Sequence, residues 1–442
     1  MDKEQMKQLV IQQIDRDRDA ILALGKEIYQ HPETGYREVR TTETLAKALE
    51  ELGLSVDRGI AYTGCRGYAN KGRPGPKIAV MGELDSVVCR NHPDCDPTTG
   101  AIHACGHNIQ VSVMYGVAAA LLHSGVMEQL DGRVDFIAVP AEEYIELDYR
   151  KSLRDEGKIR FYAGKAELAY RGAYDDVDMC VMAHNFPIEA DGYKCAPMNT
   201  GNGFIGKKTH FLGKQSHAGA APWDGVNALH MAVIAINSMH AQRETFKDRD
   251  CVRIHQIINR GGDIVNAVPD DVELETTVRA RNLTALRDAN DKVNRCIRGA
   301  AIAMGGTASV EDSPGQMPLA ADKTMAAIFK DNAVRFYPED KILPCMESTA
   351  SFDIGDLSLF MPVLHCITSG VEGGLHSKDY RVIDLDDAFI IPVKMLACTV
   401  IDLLADGASG AARVKENFKP EMTKDAYIQL LMSLEQNITY KD

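Results

Sequence analysis

The first fifty residues place apolar side chains at helical intervals. Leu9, Ile14, Ile21, Leu24 and Ile28 mark one such face, and the pattern stops at His31-Pro32. Thr41-Thr42 then read as the cap of a second helix that carries Leu45, Leu49 and Leu52 and closes at Gly53. Beyond it the pattern changes to short continuous apolar runs at 78–81, 134–139, 179–182 and 363–367, separated mostly by helix-compatible segments. Runs without polar alternation predict strands of a parallel sheet covered on both faces. Residues 204–312 behave differently. The spacing predicts a strand at 204–212 and a helix at 225–245 with Leu229, Ala232, Val233 and Ile236 on one face. Strands follow at 252–258 and 272–280, then a helix marked by Leu286, Val293 and Ile297, and a last strand at 307–310. That β-α-β-β-α-β order is the ferredoxin-like sandwich. The final stretch, 416–442, reads as a polar loop and a terminal helix. The predicted fold is therefore α/β: a large domain with a mostly parallel sheet, formed by 1–203 and 313–442, interrupted by a ferredoxin-like insert at 204–312.

Composition narrows the function classes. Of 442 residues 45% are hydrophobic and 25% charged, an ordinary globular balance that excludes disorder. A net charge of −14 argues against nucleic acid or an anionic membrane as the main partner. The insert holds 14 Lys and Arg against 13 acids, leaving −15 for the remainder, so it is the surface better suited to meeting an anion. The apolar stretch 111–122 contains Ser112 and Gly116 and is too short to cross a bilayer. A charged, amphipathic N-terminus without a signal-peptide core, and eleven scattered cysteines, predict a cytoplasmic protein with reduced thiols.

The residues after each apolar run carry the chemistry. The first leads to Glu83-Leu84-Asp85, the second to Pro140-Ala141-Glu142-Glu143, the third to Ala183-His184-Asn185, and the fourth to His376 through Gly373-Gly374. Sites in open α/β sheets form outside the carboxyl ends of the strands. His103-Ala104-Cys105-Gly106-His107 adds a thiol and an imidazole two residues apart, which a tight turn can aim at one ion. Each feature alone has an ordinary structural explanation: a buried thiol, a solvated helix start, a core histidine. Together, Cys105, His107, Glu143, His184 and His376 supply the roughly five protein ligands that two divalent ions require. Glu142 remains as a general base.

With those motifs in place, the chain resembles the aminoacylase and carboxypeptidase-type dinuclear metallopeptidases, in their amidohydrolase branch, over nearly its whole length. The resemblance rests on His31-Pro-Glu-Thr-Gly-Tyr36, Gly82-Glu-Leu-Asp85, the His-Ala-Cys-Gly-His turn, Pro-Ala-Glu-Glu143 and Ala183-His-Asn185. It continues through Ser216-His-Ala-Gly-Ala-Ala-Pro222, Gly261-Gly-Asp-Ile-Val-Asn-Ala-Val-Pro269 and His376. It implies two divalent metal ions per chain on Cys105, His107, Glu143, His184 and His376, with Glu142 as the catalytic base. Zinc or manganese fits a site of thiolate, imidazole and carboxylate, as do cobalt and nickel. It further implies that the insert is a lid and homodimerisation domain, that His217 reaches a neighbouring active site to steady an oxyanion, and that Asn266 and Arg279 hold the carboxylate of a small-molecule substrate. Alternation also puts Arg279 on the polar sheet face, where it grips a carboxylate or pairs across strands with Glu273 or Glu275. The implied activity is hydrolysis of the amide in N-acyl amino acids, aminobenzoyl-glutamate-like conjugates or dipeptides.

Some features depart from that pattern. Asn108 and Gln110 stand where many members of the branch have Asp and His, which is closer to the aminobenzoyl-glutamate hydrolase and dipeptidase-like subgroup. Asp85 matches a position that orients a ligand. The segment 144–162 is longer than usual beside the catalytic pair and is expected to shape the pocket mouth. Cys89, His92 and Cys95 read either as half a zinc site or as an acidic loop. Two other functions stay open on residues alone: a cysteine amidase with Cys105 as nucleophile, and a non-catalytic binding protein on the same scaffold.

Overall fold

Four neighbouring strands run parallel through the larger unit of the computed structural model, which describes residues 1–441: Arg133–Val139, Lys77–Glu83, Met179–Asn185 and Val363–Thr368. These are the four apolar runs. Ser55–Ile60 and Gly64–Ala69 extend the sheet antiparallel on one side, and Cys195–Ala196 on the other, giving seven strands. From Lys77–Glu83 the chain crosses through the helix His107–His123 to Arg133–Val139, then returns past its starting strand to Met179–Asn185. The strand order reverses at the carboxyl end of Lys77–Glu83, the place where open α/β sheets form sites.

His107–His123 is buried on almost every side, which is why its sequence lacks an amphipathic stripe. It lies close on the sheet because Gly82 has no side chain: a Cβ there would fall 3.0 Å from the Val111 Cα. The helices Lys3–Tyr29 and Ile391–Asn417 pack against it. The span Asp386–Asn417 is long and apolar enough to cross a membrane by composition, more so than 111–122. However, 83% of its apolar window is buried inside the protein, as in a core helix.

Two details of the N-terminal reading change. Leu9 is exposed, and Met6 and Val10 take the buried positions. The second helix, Val39–Glu51, starts before Thr41-Thr42, and neither threonine caps it. Thr41 Oγ1 donates to Glu33, and Thr42 Oγ1 donates to the carbonyl of Thr63.

By its contacts the second unit comprises Thr200–Leu319, Ser348–Gly355 and the chain from Asp425 onward. Its antiparallel sheet has the order Arg253–Arg260, Asp271–Ala280, Gly203–Leu212, Thr307–Pro314, Gln436–Tyr440. The first four strands, with helices Ala228–Ala241 and Leu283–Met304, make the ferredoxin-like arrangement. The tail does not end in a helix. After the helix Lys424–Leu434 it adds the strand Gln436–Tyr440, which covers the edge of Thr307–Pro314. The face of Ala228–Ala241 is also rotated from the expected one: Met231, Ala232, Ala235 and Met239 are buried, while Val233 is exposed.

Candidate metal centre

The larger unit brings Cys105, His107, Glu142, Glu143, His184 and His376 together. Gly106, at φ +81°, turns the chain so that Cys105 sits in the turn and His107 opens the central helix. The same position leaves no space for a side chain, since a Cβ on Gly106 would fall 2.5 Å from Tyr380 Oη. Val363–Thr368 leads into the loop that carries His376, whose backbone N–H donates to the Ala104 carbonyl at 2.8 Å. That bond ties the late histidine to the Cys105 turn.

Imidazole orientation is set from behind. His107 Nδ1–H donates to the Asp85 carbonyl at 2.8 Å, and His184 Nδ1–H to the Asn185 carbonyl at 2.9 Å. Carbonyls only accept, so each ring keeps a proton on Nδ1 and turns Nε2 inward, free to ligate once any second proton has left. His184 Nε2 stands 3.6 Å from Cys105 Sγ. His107 Nε2 stands 3.1 Å from Glu83 Oε2 and 4.0 Å from Glu142 Oε2, and His376 Nε2 lies 2.8 Å from Glu143 Oε1. Yet the buried His107 Nε2 and Glu143 Oε1 make no hydrogen bond. Donor atoms about 3 to 4 Å apart are spaced as ligands around a shared cation about 2.0–2.3 Å from each, which would take the place of the protons held there.

The donor atoms fall into two overlapping groups, Cys105 with His107 and His184, and Cys105 with Glu143 and His376. Both groups include the Cys105 thiol. These residues therefore fit a dinuclear centre of soft and borderline ligands. A third group joins Glu83, His107 and Glu142, and sequence reasoning did not assign Glu83 a role. Its position at a strand end was the available signal. Lys165 Nζ donates to Glu83 Oε1 at 2.6 Å and Gln110 Nε2 to Oε2 at 2.9 Å, all three residues being buried. Burial would raise the Glu83 carboxyl, but the Lys165 ammonium above all, with His107, holds it far below its ordinary value. Gln110 thus serves a buried ion pair, and Asn108 donates to the carbonyl of Gly25.

Burial pulls His184 down to about 4, so it is neutral and ready to ligate at neutral pH. Burial pushes the Cys105 thiol well above its ordinary value, and the neighbouring Glu143 carboxylate adds to that. A thiol in such surroundings is a poor nucleophile unless a cation takes its proton's place. Asp85 does the orienting expected of it: its two oxygens accept the backbone N–H groups of Glu142 and Glu143, at 3.1 and 2.9 Å. His92 uses both ring nitrogens, one toward the Tyr380 carbonyl and one accepting the Asp94 amide, so Cys89, His92 and Cys95 form a loop rather than a zinc site.

His217, Asn266 and Arg279 belong to the second unit. His217 is exposed, and its Nδ1 accepts the amides of Gly219 and Ala220, which leaves its proton on Nε2. The Ala218 amide donates to the Asn266 carbonyl at 2.9 Å, placing the two segments side by side. Arg279 lies at the far end of Asp271–Ala280, roughly 27 Å of extended strand from Asp271. It donates to Ser351 Oγ at 2.8 Å and stacks over Phe204. Glu273 and Glu275 are engaged by Asn259, and Glu273 also by Lys208, so neither is its partner.

Residues 200–304 match the peptidase dimerisation domain of the M20 peptidases. The mouse Xaa-Arg dipeptidase is 27% identical over 446 residues, covering 96% of this chain and 94% of its own. The chain is similar to the M20 peptidases. A p-aminobenzoyl-glutamate hydrolase homologue from Haemophilus influenzae is 26% identical, covering 65% of this chain and 74% of its own. A dinuclear metal binding M20 peptidase from Bacillus subtilis shares the fold, with a TM-score of 0.67 at 20% identity, over 88% of this chain and 99% of that one. These likenesses support a metallohydrolase of the peptide and amide bond class.

Proposed function

We propose that the protein is a dinuclear metal-dependent amidohydrolase acting on N-acyl amino acids, aminobenzoyl-glutamate-like conjugates or dipeptides that carry a free carboxylate. The observation that carries this reading is the Glu142 carboxylate beside a buried cluster of thiol, imidazole and carboxyl groups whose ligand atoms face one another. Cys105, His107, Glu143, His184 and His376 would hold two divalent ions, zinc or manganese foremost, which when bound polarise the scissile carbonyl and acidify the attacking water. Glu142 takes the proton from that water and returns it to the leaving amine. His217, with its proton on Nε2, donates to the developing oxyanion. Arg279 holds the substrate carboxylate from one protomer, and Asn266, which lies beside His217 at the opposite end of the sheet, reaches that carboxylate from the other protomer. A half-buried guanidinium with a hydroxyl and an aromatic ring as neighbours, and no acid, is an anion receptor in want of an anion.

The relatives' names support dipeptides and aminobenzoyl-glutamate conjugates as the first substrates to try. The match to the dimerisation domain supports a homodimer through the second unit, whose Arg253–Arg260 edge is unpaired among the described residues and exposes Ile257 and Ile258. Eleven free cysteines fit a reducing, cytoplasmic setting. Glu142→Gln tests the reading. It should bind two ions per chain as wild type does and lose about 10²–10⁴ in kcat, the usual contribution of a general base. Turnover within tenfold of wild type would remove the base assignment.

A further inference from the structure

The backbone that presents Glu142 and Glu143 is gripped from both sides by buried charge. Arg133–Val139 ends at Pro140, and Ala141 then takes φ +51°, a conformation an alanine adopts only when its surroundings impose it. Three successive amides are held by buried carboxyl groups: Ala141 N–H by Glu38 Oε1 at 2.7 Å, and Glu142 and Glu143 by Asp85. The carbonyl side is held by one guanidinium. Arg150 Nη1 donates to the carbonyls of Tyr162 at 2.6 Å and Ala141 at 3.4 Å, and Nη2 donates to the carbonyl of Glu143.

Arg150 is fully buried. It comes from the helix Leu147–Asp155, inside the 144–162 segment that the sequence shows as unusually long. That segment docks on the early His31–Tyr36 motif: Tyr149 Oη donates to the Tyr36 carbonyl, Thr34 donates to Glu146, and the Arg37 guanidinium lies 3.5 Å from the Tyr149 ring centre. Gly35 gives passage to this arrangement. A Cβ there would fall 2.3 Å from Arg150 Nη2 and 2.9 Å from Ala141.

We infer that Arg150 and Glu38 are positioning residues of the reaction, fixing the direction of the Glu142 and Glu143 side chains by clamping the peptide groups between them. The segment 144–162 is then the carrier of a strut rather than a decoration of the pocket mouth. A guanidinium suits this task because its planar fork reaches several carbonyls at once, which an ammonium cannot do. The inference rests on Glu142 and Glu143 acting as base and ligand.

The test compares Arg150→Lys and Glu38→Met with wild type and Glu142→Gln, all reconstituted with zinc and assayed below their thermal midpoints on a substrate that wild type turns over. Displacing a catalytic group by about 1 Å costs about a hundredfold in rate. Arg150→Lys should therefore lose about that in kcat, with KM within threefold and the folded fraction unchanged. Glu38→Met, which removes the acceptor for the Ala141 amide at similar volume, should show the same split at about tenfold. If Arg150→Lys does not fold, Glu38→Met decides alone. A folded Arg150→Lys with kcat within twofold of wild type overturns the inference, as does a loss confined to thermal stability. An active Glu142→Gln would instead remove the reading on which it rests.

Discussion

His107 donates its Nδ1–H to the backbone carbonyl of Asp85, while the Asp85 carboxylate accepts the amides that follow Ala141. One residue at the end of the central strand thus sets both the ring that ligates and the backbone that carries the base. Asp85→Asn turns one of those two oxygens into an N–H group that opposes a peptide N–H. A buried donor left unsatisfied costs about 1–3 kcal/mol. Because such outer partners steer ligands, the variant's metal affinity should fall about 10–100-fold, measured by competition with a chelating dye. An affinity within twofold of wild type would show that Asp85 does not orient the centre.

Metal uptake should depend on pH through Cys105. Burial keeps that thiol protonated at neutral pH, and a ligand must be a thiolate, so binding expels a proton. Burial would lower His107, but neighbouring Cys105 and Glu83 hold it well above its ordinary value, so it must lose a proton too. Affinity therefore rises with pH between about 6 and 8, by about tenfold per unit for each proton released. His184, neutral above about 4, adds nothing to that slope. Calorimetry in buffers of different ionisation enthalpy measures the released proton directly. A slope of zero would mean that Cys105 is not a ligand.

Arg279→Ala should raise KM for carboxylate-bearing substrates by about 10–100-fold, the worth of a charge-assisted grip of about 1.5–3 kcal/mol. Arg279→Lys should restore only part of it, since a point charge replaces a fork. An amide substrate without the carboxylate should lose little in either variant. Equal losses on both substrates would make Arg279 a structural residue held by Ser351 and Phe204.

His217 and Asn266 lie at one end of the second unit's sheet and Arg279 at the other. If His217 serves a partner's active site, two inactive variants should complement each other. Mixing His217→Ala with Glu142→Ala under subunit exchange should restore roughly a quarter of wild-type activity, from mixed dimers with one intact site each. No recovery despite demonstrated exchange would confine His217 to its own chain.

The four central strands were legible because a parallel sheet buries both faces and writes itself as unbroken apolar runs. The acids and histidines at their ends were legible as a site because those ends converge. Local spacing did not show what long-range contact decides. Thr41-Thr42 look like a cap, yet their hydroxyls bond Glu33 and the Thr63 carbonyl. Val233 fits one helical face, but the sheet selects the face of Met231 and Ala235. Arg150 and Lys165 read as surface cations in sequence, since such residues are seldom fully buried without a partner far along the chain. Their partners, Glu143 and Ala141 carbonyls for one and the Glu83 carboxylate for the other, are visible only in three dimensions.

The central claim is that Cys105, His107, Glu143, His184 and His376 hold a pair of metal ions. Metal content per chain on purified protein, wild type beside Cys105→Ala, tests it most directly. The geometry predicts two divalent ions per wild-type chain and a clear loss in the variant, because the shared thiol belongs to both ligand groups. Wild-type protein that takes up no metal after reconstitution, or a Cys105→Ala variant that retains both ions, would contradict it.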